Sequence, residues 1–170
     1  MQTNIVGEKK WFAVYTKPKF EKKVSLQLKE KKIEFFLPLQ KVLSQWKDRK
    51  KWVEKVLFSS YIFVNIDTTD YLNVLKTNGV LKFVNIEKKA CVIPDIQIDL
   101  IKRLIDNNFE IITETYEFNI GEKVEISGGE LKGIQGKLLE YKGKKRVVIS
   151  VDIIKSCLLI EIENKYLKPI

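Results

Sequence analysis

The chain has 170 residues, of which 45% are hydrophobic, and a formal net charge of +9. This length and apolar content suffice for one domain, or two small ones, with a buried core. No apolar run approaches the roughly 20 residues that span a bilayer, and no signal peptide is visible, so a cytoplasmic protein without a membrane partner is expected. There is no histidine, and Cys91 and Cys157 stand far apart. No metal site, cofactor or disulfide framework is therefore expected.

The positive charge is concentrated in the first third of the chain. Residues 1–57 contain 15 Lys and Arg against 6 Asp and Glu, whereas residues 58–170 contain 16 of each. A basic field confined to one segment favours a polyanionic partner, and nucleic acid is the commonest. A solvated, lysine-rich surface explains the same composition equally well.

A strand followed by an amphipathic helix is predicted near the start. The segment "WFAVYT" at 11–16 is short, apolar and rich in aromatic and β-branched residues, which predicts a strand. Thr16 and Pro18 are typical of a helix start, so a helix is expected directly after them. Its apolar residues recur at every fourth position and share one face: Phe20, Val24 and Leu28.

Further elements complete a mixed sheet-and-helix domain over residues 7–107. Lys41 to Lys55 contains the segment "WKDRKKW", which is too charged to bury and predicts the tip of a hairpin. The other predicted elements are strands at 33–40, 60–66 and 81–86, a short helix at 70–76 and a helix after Pro94.

The end of the chain is predicted to form a separate all-β domain. Six of the eight glycines lie between Gly121 and Gly143, between short alternating runs, which is typical of strands joined by glycine turns. Residues 146–162 are rich in β-branched aliphatics, which disfavours a helical hairpin. Residues 108–118 are assigned to a linker because they lack a clear amphipathic pattern, and residues 119–170 to the second domain.

Familiar catalytic patterns are absent from the sequence. Without histidine there is no Ser-His-Asp or Cys-His arrangement, and neither Gly-x-Gly-x-x-Gly nor the P-loop pattern occurs. Carboxylates are plentiful, but no spacing predicts a paired acid and base, which leaves only a dyad assembled by the fold. A protein that is not an enzyme and has no catalytic residues is therefore expected.

The order of several segments resembles the NusG family of transcription elongation factors over nearly the whole chain. These segments are "WFAVYTKPKFEKKV", "FFLPL", a basic hairpin, "FSSYIFV" and "FNIGEKVEISGGELKGIQGKLLE". The resemblance implies an α+β fold, in which an N-terminal NGN α/β sandwich, an antiparallel-rich sheet with flanking helices, precedes a small all-β SH3-like KOW barrel. The opening and "FFLPL" are most similar to specialised antiterminators of the UpxY and RfaH type. Where the family has Pro-Gly, this chain has Ser59 and Ser60.

The resemblance implies a monomer that binds RNA polymerase through its NGN domain and suppresses pausing and termination, on particular operons. Ribosomal protein S10 or Rho is the implied partner of the KOW domain. The alternatives are a housekeeping NusG that links polymerase to Rho or the ribosome, a ribosomal-type KOW RNA-binding protein, and an enzyme with an unrecognised carboxylate site.

A groove for the clamp helices of the polymerase largest subunit is the first implied site. In a strand, Tyr61 and Phe63 point to one face and Ile62 and Val64 to the other. If helices cover the Ile62 and Val64 face, the aromatic face is left to form the groove. Its predicted residues are Tyr15, Leu37, Phe58, Tyr61 and Phe63. The alternative is that these rings are ordinary core, and the run of residues alone favours it.

Non-template or upstream DNA is the second implied partner. The residues assigned to it are Lys17, Lys19 and Lys23 near the start of the chain, and Lys47, Arg49, Lys50 and Lys51 on the hairpin. Flexible ammonium groups suit phosphates and read little base sequence. For Trp46 and Trp52, the sequence favours pinning the hairpin to its domain over stacking on bases.

Overall fold

The chain divides into two compact units, residues Met1–Leu39 with Val56–Ile98 and residues Gln40–Lys55 with Asp99–Ile170. A computed structural model describes residues 7–46, 48–86, 89–114, 121–141, 144–151, 154 and 156–170. Helices and strands occupy the first unit and antiparallel strands dominate the second, so the predicted α+β fold class is confirmed. None of the helices in these ranges combines the length and apolar character needed to cross a bilayer.

The elements follow the predicted alternation, except that the predicted strand at 81–86 divides into two strands and two further short strands precede the last helix. In chain order, the helices and strands described are β1 (Lys10–Thr16), α1 (Glu21–Glu30), β2 (Glu34–Phe36), β3 (Leu39–Gln45), β4 (Lys50–Val56), β5 (Tyr61–Ile66), α2 (Tyr71–Leu75), β6 (Val80–Phe83), β7 (Asn85–Ile86), β8 (Lys89–Ala90), β9 (Val92–Ile93), α3 (Asp95–Asp106), β10 (Ile111–Glu114), β11 (Lys123–Ile126), β12 (Gln135–Tyr141), β13 (Lys144–Val151), β14 (Ser156–Glu161) and β15 (Leu167–Pro169).

An antiparallel sheet organises the first unit. Its strand order is β2–β5–β1–β6, and β9 pairs with the start of β1. The register sets Val14 opposite Ile62 and Phe12 opposite Val64, so these residues share one face of the sheet. That face packs on the helices, because Val24 and Leu28 of α1 and Val74 of α2 join Val14, Ile62 and Val64 in one buried cluster. The predicted helical face of α1 is thereby confirmed.

Helix α1 begins later than predicted. Its first residue is Glu21, and Thr16 does not cap it, since the Thr16 hydroxyl donates instead to the carbonyl of Lys17, 3.2 Å away. The intervening residues form a turn in which Lys19 has a positive φ of 63°. The residues between Thr16 and Glu21, which the capping pattern had assigned to the helix, therefore belong to this turn.

Pro38 divides the predicted strand at 33–40. Strand β2 ends at Phe36 and β3 begins at Leu39, so the proline lies between two strands rather than inside one. The absence of a proline N–H explains this break, because a ladder hydrogen bond cannot form at that position. Strands β3 and β4 then pair only with each other in the described sheets, as the predicted hairpin.

The second unit holds a sheet in the order β10–β14–β13–β12–β11–β15. Strands β13 and β14 confirm that the β-branched stretch is not a helical hairpin. Strand β10 lies inside the stretch predicted as the linker and pairs with β14, setting Ile111 opposite Ile160. It covers the backbone edge that β14 otherwise presents to solvent, where other strands readily add. The rest of that stretch, residues 115–118, lies outside the described residues.

Close packing, as well as turn geometry, explains the glycines of the second unit. Gly129 and Gly133 have φ angles of 71° and 85°, as the turn prediction requires. Gly136 does not have a positive φ; a Cβ atom there would lie 2.7 Å from the carbonyl oxygen of Val148 and still closer to the Val147 side chain. A backbone oxygen on the neighbouring strand cannot move aside without disturbing the pairing of β12 with β13.

Replacing Gly136 with alanine is expected to destabilise the protein by about 1–3 kcal/mol, the usual cost of forcing an extra carbon into a packed site. Urea unfolding at equilibrium measures this change. Lys137→Ala, an exposed neighbour on the same strand, is the control and is expected to change stability by less than about 0.5 kcal/mol. Equal midpoints for the two variants would contradict the packing explanation.

Candidate functional site

The sheet face opposite α1 and α2 carries a cluster of aromatic rings. Strand pairing sets Tyr15 opposite Tyr61 and Ala13 opposite Phe63, and side chains two positions apart share a face. The Tyr15 and Tyr61 rings are 5.3 Å apart between centroids at 61°, and Phe58 meets Phe63 edge-on at 5.9 Å. The predicted sorting of β5 into an aliphatic face under the helices and an aromatic face opposite is therefore confirmed.

The aromatic face is not equally exposed along its length, which corrects the expectation of an open groove lined by all five predicted residues. Phe63 has no exposed surface and Phe58 is 3% exposed, whereas Tyr15 and Tyr61 are half-buried. The phenylalanines thus form a solid floor, and the tyrosines keep accessible surface beside it. Alternation in a strand predicts the face of a side chain but not its depth.

Leu37 lies in a different place from the one predicted. It packs, partly buried, against the cluster under the helices, with Val14 and Val64. Phe36 occupies the position beside Phe63 that was predicted for Leu37. Phe36 pairs with Phe63 across the strands, and their rings stack with centroids 6.2 Å apart and an interplanar angle of 25°. The alternation of "EFFL" was the signal that could have identified Phe36, because adjacent strand residues point to opposite faces.

The environment of Tyr61 keeps its phenol in the neutral form. Burial raises the pKa of the Tyr61 hydroxyl, and the nearby Tyr15 hydroxyl raises it further. A phenolate is less well solvated there than in water, and two adjacent phenolates would repel. Tyr61 is therefore an apolar ring with a hydroxyl that both donates and accepts hydrogen bonds.

A buried carboxylate, which no sequence pattern indicated, holds the turn before β5. The Ser60 N–H donates to Oε1 of Glu21 at 2.6 Å, and both residues are buried. Ser60 has a φ of 67°, in the left-handed region that favours glycine. Its carbonyl accepts the Thr16 N–H at 2.8 Å, which joins the turn to the end of β1. Glu21 thus holds a strained turn in the orientation that presents Tyr61.

A second feature of the first unit is an aromatic ring flanked by lysines. The Nζ atoms of Lys23 and Lys17 lie 4.9 Å and 5.9 Å from the centroid of the Phe20 ring. Both lysines are exposed, and the ring is half-buried. The ring lies close over Gly79, where a Cβ atom would be 2.7 Å from its Cδ1. The structure thus brings two of the predicted nucleic-acid residues together, and Phe20 is a neighbour that sequence reasoning did not assign.

The remaining predicted basic residues do not join that feature. Lys19 is exposed in the turn before α1, and Arg49, Lys50 and Lys51 are exposed on the hairpin. Lys47 lies outside the described residues. Trp46 and Trp52 are 55% and 66% exposed, so neither ring pins the hairpin down, contrary to the interpretation that the sequence favoured.

Comparisons with known proteins agree with one another. The family model described as Transcription termination factor nusG matches residues 9–102. The chain is 24% identical to the Transcription termination/antitermination protein NusG of Borreliella burgdorferi over 182 residues, covering 94% of this chain and 98% of that protein. It is 28% identical to the protein of the same name from Staphylococcus carnosus over 175 residues, covering 93% and 94%.

A solved structure supports the fold. The chain is similar to Thermotoga maritima NusG with a TM-score of 0.61 and 20% sequence identity, covering 96% of this chain and 98% of that one. At this identity the likeness concerns the fold alone.

Glu21→Ala is expected to destabilise the protein by about 2 kcal/mol, because it leaves the buried Ser60 N–H without its charged acceptor. Glu21→Gln keeps an acceptor oxygen and is expected to cost less. Chemical unfolding measures both, with Glu30→Ala, an exposed glutamate on the same helix, as the control. A Glu21→Ala protein as stable as Glu30→Ala would show that the hydrogen bond does not hold the turn.

Proposed function

Because the chain belongs to the NusG family of transcription termination and antitermination factors, which are not enzymes, we propose that it binds RNA polymerase and suppresses pausing and termination. The tip of the clamp helices of the polymerase largest subunit docks on the aromatic face of the first unit, and the protein acts in the cytoplasm. The observation that carries this proposal is the accessible surface of Tyr15 and Tyr61 beside the buried Phe58 and Phe63.

The arrangement of the rings suits a partner helix. Phe36 and Phe58 both contact Phe63, so little side-chain freedom remains to be given up there on binding. Tyrosines beside such a floor offer apolar area together with a hydroxyl, the combination found at the energetic centres of many interfaces. Tyr15 and Tyr61 are therefore the residues that we assign to the contact itself.

We also propose that Lys17 and Lys23 contact the phosphates of the displaced non-template strand. Both ammonium groups lie over the Phe20 ring, which orients them without neutralising their charge. Lys19 extends the same exposed segment. Contacts of this kind add affinity and depend on salt, but they discriminate little between sequences.

For the range of target genes, we propose action on a restricted set of operons, in keeping with the resemblance of the opening segment to specialised antiterminators. A general elongation factor is the second candidate, favoured by the names of the curated relatives. Transcript sequencing after depletion distinguishes the two, since a general factor alters termination at many genes and a specialised one at few.

The domain organisation forms part of the proposal. Residues 7–107 act as the NGN domain. Residues 108–118 act as the linker, apart from β10, which pairs with β14 in the sheet of the second unit. Residues 119–170 act as a KOW domain that recruits ribosomal protein S10 or Rho. The antiparallel sheet β11–β15 supports this assignment, because it supplies a small all-β unit within that range.

Tyr61→Ala is expected to weaken binding to a fragment carrying the polymerase clamp helices by about tenfold or more, since a central tyrosine commonly contributes at least about 1.4 kcal/mol. Tyr15→Ala, which removes the adjacent ring, is expected to act in the same direction. The dissociation constant is measured by isothermal titration or interferometry with purified proteins.

The matched control is Leu72→Ala, which shortens an exposed apolar side chain of α2, on the helix-bearing side of the sheet. It is expected to leave binding unchanged. Phe63→Asp is unsuitable, because it places a carboxylate in a fully buried position and destabilises the fold. Equal binding by wild type and Tyr61→Ala would rule out the aromatic face as the polymerase contact.

The double variant Lys17→Gln and Lys23→Gln is expected to lower affinity for single-stranded DNA and to reduce the slope of log K against log salt by about 1.4, roughly 0.7 for each phosphate that is no longer neutralised. Fluorescence anisotropy at several salt concentrations provides the slope. Lys29→Gln with Lys76→Gln removes the same charge from other exposed positions of the first unit. Identical slopes for the two double variants would mean that net charge alone, and not this pair, determines binding.

A further inference from the structure

The β3–β4 hairpin exposes large apolar side chains. Trp52 is 66% exposed, Trp46 is 55% exposed and Leu43 is 49% exposed. Exposing an indole ring to water gives up the stabilisation that its burial provides, so such a ring commonly marks a binding surface.

The turn geometry assigns these residues to faces of the hairpin. The Trp46 N–H donates to the Arg49 carbonyl at 2.8 Å, which pairs these two residues across the hairpin. Continuing this antiparallel pairing along β3 and β4 sets Leu43 opposite Trp52, and residues directly opposite share a face. Trp46 belongs to the other face, since it is an odd number of residues from Leu43.

Burial distinguishes the two faces. Trp46 lies on one face of the hairpin, and three other residues of that face are half-buried: Val42, Ser44 and Val53. On the other, every described residue from the middle of the hairpin to its tip is exposed: Lys41, Leu43, Gln45, Lys50, Trp52 and Glu54. We call the group formed by Lys41, Leu43, Lys50 and Trp52 the Trp52 face.

The charge of the hairpin identifies the chemistry of the occupant. Residues 39–56 contain six Lys and Arg against Asp48 and Glu54, a net charge of +4. Lys41 and Lys50 lie on either side of the Leu43 and Trp52 pair along the face, and Glu54 lies opposite Lys41, so the face itself has a net charge of +1. An aromatic ring between cations complements a strand whose flat, apolar bases alternate with negative phosphates.

We propose that the Trp52 face binds unpaired single-stranded DNA, with one base stacked on the Trp52 ring and the adjacent phosphates beside Lys41 and Lys50. The choice of DNA rests on the proposed function, which places the protein next to a displaced DNA strand. Duplex DNA fits less well, because its bases already stack on each other and must separate before they can stack on a side chain. A protein partner fits less well too, because two lysines flank the only aromatic ring of this face, and the buried centres of protein interfaces are depleted in lysine.

The test uses the full-length chain and an oligothymidylate of about 12 nucleotides, long enough for a single-stranded site. Trp52→Ala is expected to lower affinity about tenfold, because one base no longer stacks on an aromatic ring. Trp52→Phe retains a ring and is expected to recover most of the affinity. In a Trp46→Phe background, Trp52 and the buried Trp11 are the remaining tryptophans, so quenching of exposed fluorescence on titration reports contact with Trp52.

An abasic strand of equal length separates stacking from charge. It carries the same phosphates without bases, so wild type and Trp52→Ala are expected to bind it equally. The proposal would be overturned if Trp52→Ala did not lower the affinity for the oligothymidylate, or if it lowered the affinity for the abasic strand by the same factor. It would also be overturned if Trp46→Ala lowered the affinity for the oligothymidylate as much as Trp52→Ala does. Tighter binding of a matching duplex, or of the ribonucleotide strand with the same bases, would overturn it too.

Polymerase binding provides a separate readout. Trp52→Ala is expected to bind the clamp-helix fragment as wild type does, while Tyr61→Ala is expected to bind the oligothymidylate normally. If Tyr61→Ala leaves polymerase binding intact but Trp52→Ala still reduces DNA affinity, the proposed function fails and the Trp52 face stands as a DNA site. If Tyr61→Ala weakens polymerase binding but Trp52→Ala leaves DNA affinity unchanged, the Trp52 face is rejected as a DNA site and the proposed function stands.

Discussion

The antiparallel pairing of β1 with β5 determines both sides of the first unit. Side chains alternate along a strand, so the register that places Ile62 and Val64 beneath α1 and α2 also places Tyr61 and Phe63 on the opposite face. A slip of one residue would exchange these sets and put rings under the helices. Burial of the aliphatic set stabilises that register, and the aromatic face exists as its consequence. Stability and the proposed polymerase contact therefore depend on the same strand pairing.

The hydrogen bond from the Ser60 N–H to Glu21 connects that pairing to α1. Glu21 lies in the first turn of the helix, where the helix dipole favours a negative charge, and it accepts from a residue held at positive φ. Tyr61 follows that residue directly, and Lys23 lies within the same helix. One buried carboxylate thus positions a residue of the proposed polymerase contact relative to one of the proposed DNA contact.

Three of the environments found for aromatic side chains in the described part of the chain differ in what surrounds the ring. Phe58 and Phe63 are packed among other rings, Phe20 carries lysine ammonium groups above it, and Trp52 is exposed on a basic hairpin. A buried ring contributes stability and a preorganised floor. A ring that lies beside cations and is open to solvent offers a surface on which a base can stack, whereas a buried ring has no such accessible surface.

The sequence by itself determined the fold class, the order of the strands and helices, the face on which each β5 residue lies and the basic hairpin, because periodicity and turn residues are local properties. It also indicated the family through the order of its motifs. Where local signals competed, it misplaced boundaries: the turn at Lys19 delayed α1, and part of the stretch assigned to the linker became β10.

Only the tertiary structure decided how deeply each ring is buried, that Phe36 rather than Leu37 stacks on Phe63, and that Glu21 meets Ser60 across the chain. It also decided that Trp52 remains exposed and that Gly136 is required by a neighbouring strand. The physical reason is the same in each case. Periodicity specifies the direction of a side chain, whereas burial, contacts and available space depend on residues distant in sequence.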